Sequence, residues 1–324
     1  MSDSPDTELP KIKKSATVLT DDCYNTPQTS LLLFHFEPHP FTSSKMRMQN
    51  SQVKHASVDN KDIFLIDHFF SADEGMDNCN YCRKTTFSRN SYGSAEAIMQ
   101  GEKPAKSMDG KERWQFFSRP PKGIHELYKL FSWLAFHLDA DISTLPWELC
   151  DKSSHISSSV ICNLLEKVTE ESRELGKHQD CNPEKGIAFG IPVLYGEDQQ
   201  FHSSKFVNGD PGKPWLITVM LYTTAENFTE DHRMGTAFYS KNGQLVLRSK
   251  CLSMRLVFFE SDIFHSIEES TIPKELQTWR VSYVFKLLVN PKKNTYPLRE
   301  ALARVLQNEQ IPIEIVSLGA ESRR

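Results

Sequence analysis

Three polar side chains, His178, Asp180 and His265, have the residue types and the order of a metal site. His178-Gln-Asp180 falls in a polar loop between two predicted strands, where residues i and i+2 of an extended segment point the same way. His265 follows an apolar strand and a tight polar turn within residues 258–266. Two imidazoles and one carboxylate can bind a divalent metal ion and leave coordination positions open for other ligands.

A second His-x-Asp pair, His137-Leu-Asp139, is predicted to be structural. It falls on an apolar helix, where the side chains at i and i+2 diverge, and no partner pattern follows it. A His-x-Asp pair by itself is therefore weak evidence for a metal site. The downstream His265 and the strand after it distinguish the first pair from the second.

Two further polar residues, Arg280 and Ser282, lie on the predicted strand at residues 278–289. As alternate residues of a strand, they are expected to point to the same face, whereas Trp279 and Val281 point to the opposite face. An arginine that faces inward among apolar strands needs an anionic partner, because an unpaired buried charge is costly. The pattern therefore predicts an anionic ligand near Arg280.

These motifs resemble the iron(II)- and 2-oxoglutarate-dependent oxygenase superfamily, in particular its prolyl-4-hydroxylase-like branch. The resemblance covers residues 62–289 loosely and residues 175–289 well. His178, Asp180 and His265 match the family's His-x-Asp…His metal triad. The resemblance implies that these three residues bind iron.

Other matches concern the family's co-substrate. Arg280 and Ser282 match its Arg-x-Ser clamp, and Tyr222 ends a segment that resembles the strand whose terminal Tyr touches the distal carboxylate of 2-oxoglutarate. Residues 234–238 resemble the Gly-Gly-x-x-Phe segment that follows, with Thr236 where the second Gly is usual. The resemblance therefore implies that Arg280, Tyr222 and Ser282 bind the co-substrate.

The activity that this resemblance implies is that of a dioxygenase, a hydroxylase that uses Fe(II), O₂ and 2-oxoglutarate as co-substrate, with ascorbate in support. Oxidative decarboxylation of 2-oxoglutarate gives succinate and CO₂ and is coupled to hydroxylation of an unactivated C–H bond. The substrate expected is a protein, a peptide or an amino-acid-like small molecule. No catalytic residue is expected beyond the metal centre, because the metal and the co-substrate carry the chemistry.

Two alternatives stay open. Arg280 follows His265 by fifteen positions, a spacing nearer that of the AlkB-like branch of oxidative demethylases of nucleic acid or protein. That branch has a second Arg where this chain has Lys286, and its Asn-x-Tyr would be Asn163-Leu-Leu165, which lacks the Tyr. The other alternative is a non-catalytic jelly-roll binding protein of cupin type, against which the complete triad argues.

The composition limits the partners and the compartment. The formal net charge is −4 and the isoelectric point about 6.3, so no global positive field recruits nucleic acid or an anionic membrane. No apolar run reaches the roughly 18 residues of a membrane span, and none fits a signal peptide. Seven Cys without framework spacing, Cys79-Asn-Tyr-Cys82 among them, fit reduced thiols in a cytoplasmic or nuclear protein.

The chain divides into an extension and a folded region. Residues 1–60 are polar and lack sustained periodicity, which predicts a mostly disordered extension. Within it, the apolar residues 31–34 could add a short strand or dock on the folded region. The dioxygenase domain is predicted at residues 61–324. Within it, the core is expected at residues 156–290, and a C-terminal helix and tail at residues 291–324.

The predicted elements favour a mainly β fold with flanking helices, a double-stranded β-helix of jelly-roll or cupin-like type. A strand at residues 62–70 precedes a capping box at Ser71–Glu74, and an amphipathic helix is predicted at about 123–139. Asn242-Gly243 is a strong hairpin signal. Eight later strands are predicted, at residues 157–166, 186–195, 214–224, 235–240, 244–249, 252–260, 264–269 and 278–289.

Two segments are expected to decide the substrate. Residues 83–122 carry an excess of Lys and Arg, which fits either a solvated loop or a basic flap that faces the substrate. Residues 196–213 form the second predicted flap. Neither segment identifies the substrate or distinguishes hydroxylation from demethylation, and the sequence predicts no oligomeric state.

Overall fold

The computed structural model describes residues 12–19, 29–40, 47–84, 119–144, 159–164, 177–182, 187–188, 191–192, 208–209, 215–223, 233, 235–268, 279–292 and 306–316. In this part of the chain the protein is mainly β, and its helices include α1 (Ala72–Lys84) and α2 (Ile124–His137). The strands, in chain order, are β1 Ile12–Leu19, β2 Thr29–Phe36, β3 Gln52–Val58, β4 Lys61–Asp67, β5 Ala140–Thr144, β6 Ser159–Leu164, β7 Cys181–Asn182, β8 Ile187–Ala188, β9 Ile191–Pro192, β10 Trp215–Tyr222, β11 Thr236–Tyr239, β12 Leu245–Ser249, β13 Leu256–Glu260, β14 Phe264–Ile267, β15 Trp279–Pro291 and β16 Ile313–Ile315.

A ten-stranded sheet is the largest unit of the described structure. Its order is β1-β2-β5-β15-β10-β13-β4-β3-β16, and β6 pairs with β15 beside β5. Its pairs are antiparallel except β3 and β16, which are parallel. All eight residues of the central strand β10 are buried, which agrees with its uninterrupted apolar run.

The two faces of this large sheet bury different cores. On β10, Val219 and Leu221 belong to a core shared with α2, whereas Met220 and Tyr222 belong to a second core. Phe238 of the three-stranded sheet β12-β11-β14 lies in that second core. The small sheet therefore packs on one face of the large sheet, and α2 packs on the other.

Both helices agree with the sequence predictions. Helix α1 begins with a capping box in which the Ser71 N–H donates to Oε2 of Glu74 at 2.9 Å, and the Glu74 N–H donates to Oγ of Ser71 at 3.3 Å. Helix α2 buries its apolar stripe, with Leu127 and Phe131 fully inaccessible. Among the described residues, no helix is long and apolar enough to cross a membrane.

The predicted hairpin at Asn242-Gly243 connects β11 and β12 in the small sheet. Gly243 has φ of 79°, a left-handed conformation that glycine adopts without steric cost. Its backbone N–H donates to the carbonyl of Ser240 at 2.8 Å. This hairpin brings β12 alongside β11, which in turn pairs with β14.

The structure corrects the predicted boundary at residue 61. That boundary falls inside the antiparallel hairpin of β3 and β4, and both β1 and β2 pair into the large sheet. Residues 31–34 lie in β2. The alternation of β3 was missed because partly exposed polar residues separate its buried ones, so no apolar run marks it. The described parts of residues 1–60 thus contain strands where a mostly disordered extension was predicted.

Seven of the eight later strands predicted from the sequence correspond to single strands, namely β6, β10, β11, β12, β13, β14 and β15. The prediction at residues 186–195 is wrong in detail, because β8 and β9 there are two short strands that pair with each other. Gly190 and Pro192 interrupt that apolar run. The C-terminal helix and tail predicted at residues 291–324 and both predicted flaps lie mostly outside the described residues.

Candidate metal centre

Two backbone segments that are far apart in sequence carry the predicted metal ligands, and an isolated antiparallel bridge joins them. The N–H of His178 donates to the carbonyl of His265, and the N–H of His265 donates to the carbonyl of His178, both at 3.0 Å. This reciprocal pairing fixes the polar segment 177–182 against β14. The predicted ligands therefore meet because the backbone brings them together.

The side chains of His178, Asp180 and His265 form one cluster. Their ligand atoms all lie within 4.8 Å of one another, and Nε2 of each histidine lies 3.7–3.8 Å from the Asp180 carboxylate. Donors around one six-coordinate ion with bonds of about 2.1 Å are roughly 3 Å apart, so the cluster is wider than a closed site by roughly 1–2 Å. Small side-chain rotations would bring all three onto one metal ion, and the donor set fits iron.

His265 is buried and is oriented to bind a metal through Nε2. Its Nδ1–H donates to the carbonyl of Ile263 at 2.9 Å, which leaves the lone pair of the neutral ring on Nε2. Burial lowers the pKa of His265 to about 4, against the opposing attraction of Asp180. The ring also packs against Phe259, at 4.8 Å between centroids. His265 is therefore neutral at physiological pH, as metal binding requires.

Asp180 is charged although its side chain is largely shielded from water. Burial acts to raise its pKa, but the positive charge of Lys286 and the neighbouring His265 together hold that pKa well below its usual range. Lys286 on β15 forms a salt bridge with Oδ2, and the Thr218 hydroxyl on β10 donates to the same oxygen at 2.5 Å. Lys286 and Thr218 are opposite each other in the sheet register. The large sheet thus orients this carboxylate.

His178 forms the open side of the cluster. Its side chain is 55% exposed, whereas those of Asp180 and His265 are 10% and 6% exposed. The imidazole rings of His178 and His265 lie 4.4 Å apart between centroids. A ligand can therefore approach the cluster from the side of His178, while the other two side chains are shielded from water.

The predicted co-substrate residues Tyr222 and Ser282 are both buried and lie opposite each other on β10 and β15. The Tyr222 hydroxyl is 2.6 Å from the hydroxyl of Thr236. Arg280 lies on β15 opposite Asn163 of β6, and its side chain is outside the described residues. The backbone therefore places all three predicted residues on two neighbouring strands of the large sheet.

Glycine is required where the predicted Gly-containing segment enters β11. A Cβ added to Gly235 would lie 1.8 Å from the carbonyl oxygen of Ser249, which no side chain permits. The next residue, Thr236, replaces the second glycine of the family pattern, and its hydroxyl contacts Tyr222. This close approach of β11 and β12 explains the first glycine on packing alone.

Two residues outside the cluster have structural contacts. His137, in the second His-x-Asp pair, packs its ring against Trp133 at 4.7 Å near the end of α2, and the carbonyl of Asp139 accepts the N–H of Lys292. Arg255 donates two hydrogen bonds of 2.7 Å to Asp67. Neither His137 nor Arg255 belongs to the metal cluster.

Sequence reasoning named Lys286 only as a substitute for an arginine of the AlkB-like pattern, and it did not place this residue beside Asp180. A signal was present in the sequence. Lys286 lies on the same face of β15 as Arg280 and Ser282, so the argument made for Arg280 would also have indicated an inward-facing cation at Lys286. The side chain of Cys79 is buried, and that of Cys82 is outside the described residues.

The chain matches no protein-family model and no curated protein.

Proposed function

We propose that the protein is an Fe(II)- and 2-oxoglutarate-dependent dioxygenase that hydroxylates an unactivated C–H bond of a protein, a peptide or an amino-acid-like substrate. The observation that carries this proposal is the cluster of His178, Asp180 and His265, two imidazoles and a carboxylate on paired backbone segments. This donor set leaves positions open for a co-substrate and O₂. A purely structural metal site would have its positions filled by the protein.

The arrangement of the sheets supports the same proposal. The small sheet carries His265 on β14, and the large sheet carries Thr218 and Lys286, which hold Asp180. The cluster thus lies where the two sheets face each other. We propose that these sheets form the double-stranded β-helix, or jelly-roll, core that the sequence resemblance implies.

The co-substrate would lie between the metal and the paired residues Tyr222 and Ser282. Both are buried on the sheet face that also carries Thr218, and Arg280 is two residues before Ser282 on the same strand. A guanidinium matches the two oxygens of a carboxylate with parallel hydrogen bonds. The chain therefore offers a cation and hydroxyl groups for the distal carboxylate of 2-oxoglutarate.

In this proposal the protein residues bind and orient the metal ion and the co-substrate, and they keep water away from them. When bound, Fe(II) and 2-oxoglutarate activate O₂, and the co-substrate leaves as succinate and CO₂. His265 presents a neutral Nε2 because Nδ1–H is held by Ile263, and Asp180 stays ionised beside Lys286. The exposed His178 lies on the side from which a substrate can approach.

The experiment that tests this function is a succinate-release screen of the purified full chain with Fe(II), ascorbate and 2-oxoglutarate. Peptide, free amino acid, small-metabolite and methylated nucleic-acid pools are assayed separately. We expect substrate-dependent release of succinate by the unaltered chain and none by Asp180→Ala. The matched variant Asp139→Ala should release succinate at a rate within a few-fold of that of the unaltered chain. Full turnover in metal-analysed Asp180→Ala would contradict the proposal.

Lys286 favours a second candidate, an AlkB-like oxidative demethylase. Its contact with Asp180 puts a cation where the strand pattern of that branch has its second arginine. The metal chemistry is the same, and hydroxylation of an N-methyl group then releases formaldehyde. Succinate release with the methylated nucleic-acid pool, accompanied by formaldehyde, would select this candidate over the hydroxylase.

A further inference from the structure

The tight turn between β13 and β14 holds the segment that carries His178 and Asp180. The carbonyl of Ser261 accepts the N–H of Asp180 at 2.8 Å and the N–H of Cys181 at 3.1 Å. The side-chain amide of Gln179, the residue between the two ligands, donates to the carbonyl of Asp262 at 2.6 Å. Because His265 lies on the strand that leaves this turn, the turn sets the position of all three ligands.

The turn itself is anchored through the carboxylate of Asp262, which is buried. Lys61 of β4 donates to Oδ2 at 2.5 Å, and the side-chain amide of Asn208 donates to Oδ1 at 3.1 Å. Asn208 is fully buried and also bonds the N–H and the carbonyl of Leu216 at the start of β10. Asp262 therefore connects the turn to two strands of the large sheet.

A second buried ion pair offers a comparison within the same sheet. Asp67 and Arg255 join β4 to the segment before β13, with two hydrogen bonds of 2.7 Å. In both pairs a cation from a neighbouring element compensates a carboxylate that is largely shielded from water, with side-chain exposures of 6% for Asp262 and 15% for Asp67. Of these two pairs, the described contacts connect that of Asp262 and not that of Asp67 to the ligand-bearing segment, so we expect only the loss of the Asp262 pair to alter the metal cluster.

We infer that Asp262 is a positioning residue for the metal centre. Its carboxylate fixes the turn, and the turn fixes the spacing of His178 and Asp180 relative to His265. Its described hydrogen bonds run to Lys61 and Asn208 and not to the ligand atoms, so it acts through the backbone. This inference rests on the proposed metal centre and assigns it a supporting network that the sequence motifs do not contain.

The test is an anaerobic titration of Co(II) into the purified full chain, followed by visible absorption, which reports both affinity and coordination geometry. We expect Asp262→Asn to weaken Co(II) binding by about 10-fold or more and to change the absorption spectrum, because release of the turn shifts His178 and Asp180 relative to His265. Asp67→Asn serves as the matched control. It should lower the thermal midpoint but keep the affinity and spectrum of the unaltered chain.

A milder variant keeps the test decisive if Asp262→Asn does not fold. Gln179→Ala removes only the side-chain bond between the ligand segment and the turn, and we expect several-fold weaker Co(II) binding with an altered spectrum. The inference would be overturned if a folded Asp262→Asn kept the Co(II) affinity and spectrum of the unaltered chain. If Asp262→Asn does not fold, the same result in Gln179→Ala would overturn it. An equal loss of affinity in Asp67→Asn would also overturn it. If the unaltered chain bound no Co(II), the proposed function would fail together with this inference.

Discussion

The carboxylate of Asp180 is the point at which the candidate metal centre and the large sheet meet. It lies 3.7–3.8 Å from two imidazole nitrogens and also contacts Lys286 and the hydroxyl of Thr218. A buried carboxylate needs compensating positive charge. Lys286 supplies that charge from β15, and a divalent ion would supply more of it from the opposite side.

Replacement of Lys286 by Met tests this balance of charge. Breaking a buried ion pair costs about 3–5 kcal/mol, so Lys286→Met should lower the thermal midpoint of the metal-free chain. Added Co(II) should raise the midpoint more in this variant than in the unaltered chain, because the ion then supplies the missing countercharge. Lys292→Met removes an exposed pair with Asp141 and should change the midpoint little. Equal midpoints for Lys286→Met and Lys292→Met would argue against the role of Lys286.

Arg280 is the second residue whose charge the proposal uses. Loss of one partner of a desolvated charge pair costs roughly 2–5 kcal/mol, so Arg280→Ala should weaken 2-oxoglutarate binding by about 30-fold or more. Arg280→Lys keeps the charge but loses the planar fork and should be intermediate. Fe(II) binding should survive in both variants, because Arg280 is not a ligand. If Arg280→Ala bound 2-oxoglutarate as tightly as the unaltered chain, another residue would have to bind the distal carboxylate. Arg255, on the neighbouring segment, already donates two hydrogen bonds to Asp67.

At the scale of elements, a cluster of charged side chains joins both helices to the segment before β3. Arg47 donates to both carboxylate oxygens of Glu74 in α1 and lies 3.6 Å from Glu126 in α2. Lys129 and His125 also contact Glu126, at 3.2 and 3.0 Å. These contacts fix the helix layer on the face of the large sheet opposite the metal cluster.

This cluster makes the stability of the helix layer depend on pH. Burial acts to raise the pKa of Glu126, but His125, Lys129 and Arg47 lower it from 4.5 to about 2. Because the folded-state pKa lies below the unfolded one, the stabilisation is complete above about pH 4.5 and is lost as the pH falls towards 2. Glu126→Gln should therefore be less stable than the unaltered chain near pH 6, by on the order of 1–3 kcal/mol, and equally stable near pH 2. Urea unfolding at several pH values measures this difference, and a difference independent of pH would contradict the assignment.

At the scale of the whole molecule, local patterns were enough to predict the elements around the site. The buried run of β10, the Asn242-Gly243 turn and the stripe of α2 each carry their own signal, and all three are present. The hairpin of β3 and β4 was missed because partly exposed polar residues separate the buried residues of β3, so no apolar run marks that strand. Local sequence therefore predicts elements with a strong apolar pattern better than strands whose buried residues are small or widely spaced.

The candidate site also has residues that the sequence predicted and residues that it did not. The order and spacing of His178, Asp180 and His265 were readable, because metal ligands of fixed types leave a motif in the sequence. The support from Lys61, Asn208 and Asp262 was not, since these residues come from three distant segments and meet only in the folded chain. The motif in the sequence therefore indicated the candidate ligands, and only the folded chain shows the residues that support them.

Addition of 2-oxoglutarate to the anaerobic, Fe(II)-loaded full chain tests the proposed metal centre and its co-substrate in one measurement. Chelation of Fe(II) by the keto acid gives a visible charge-transfer band. We expect a band that saturates in the unaltered chain, persists in Asp139→Ala and is absent in Asp180→Ala. No band in the Fe(II)-loaded unaltered chain, or an undiminished band in Asp180→Ala, would contradict the proposal that His178, Asp180 and His265 form an oxygenase iron site.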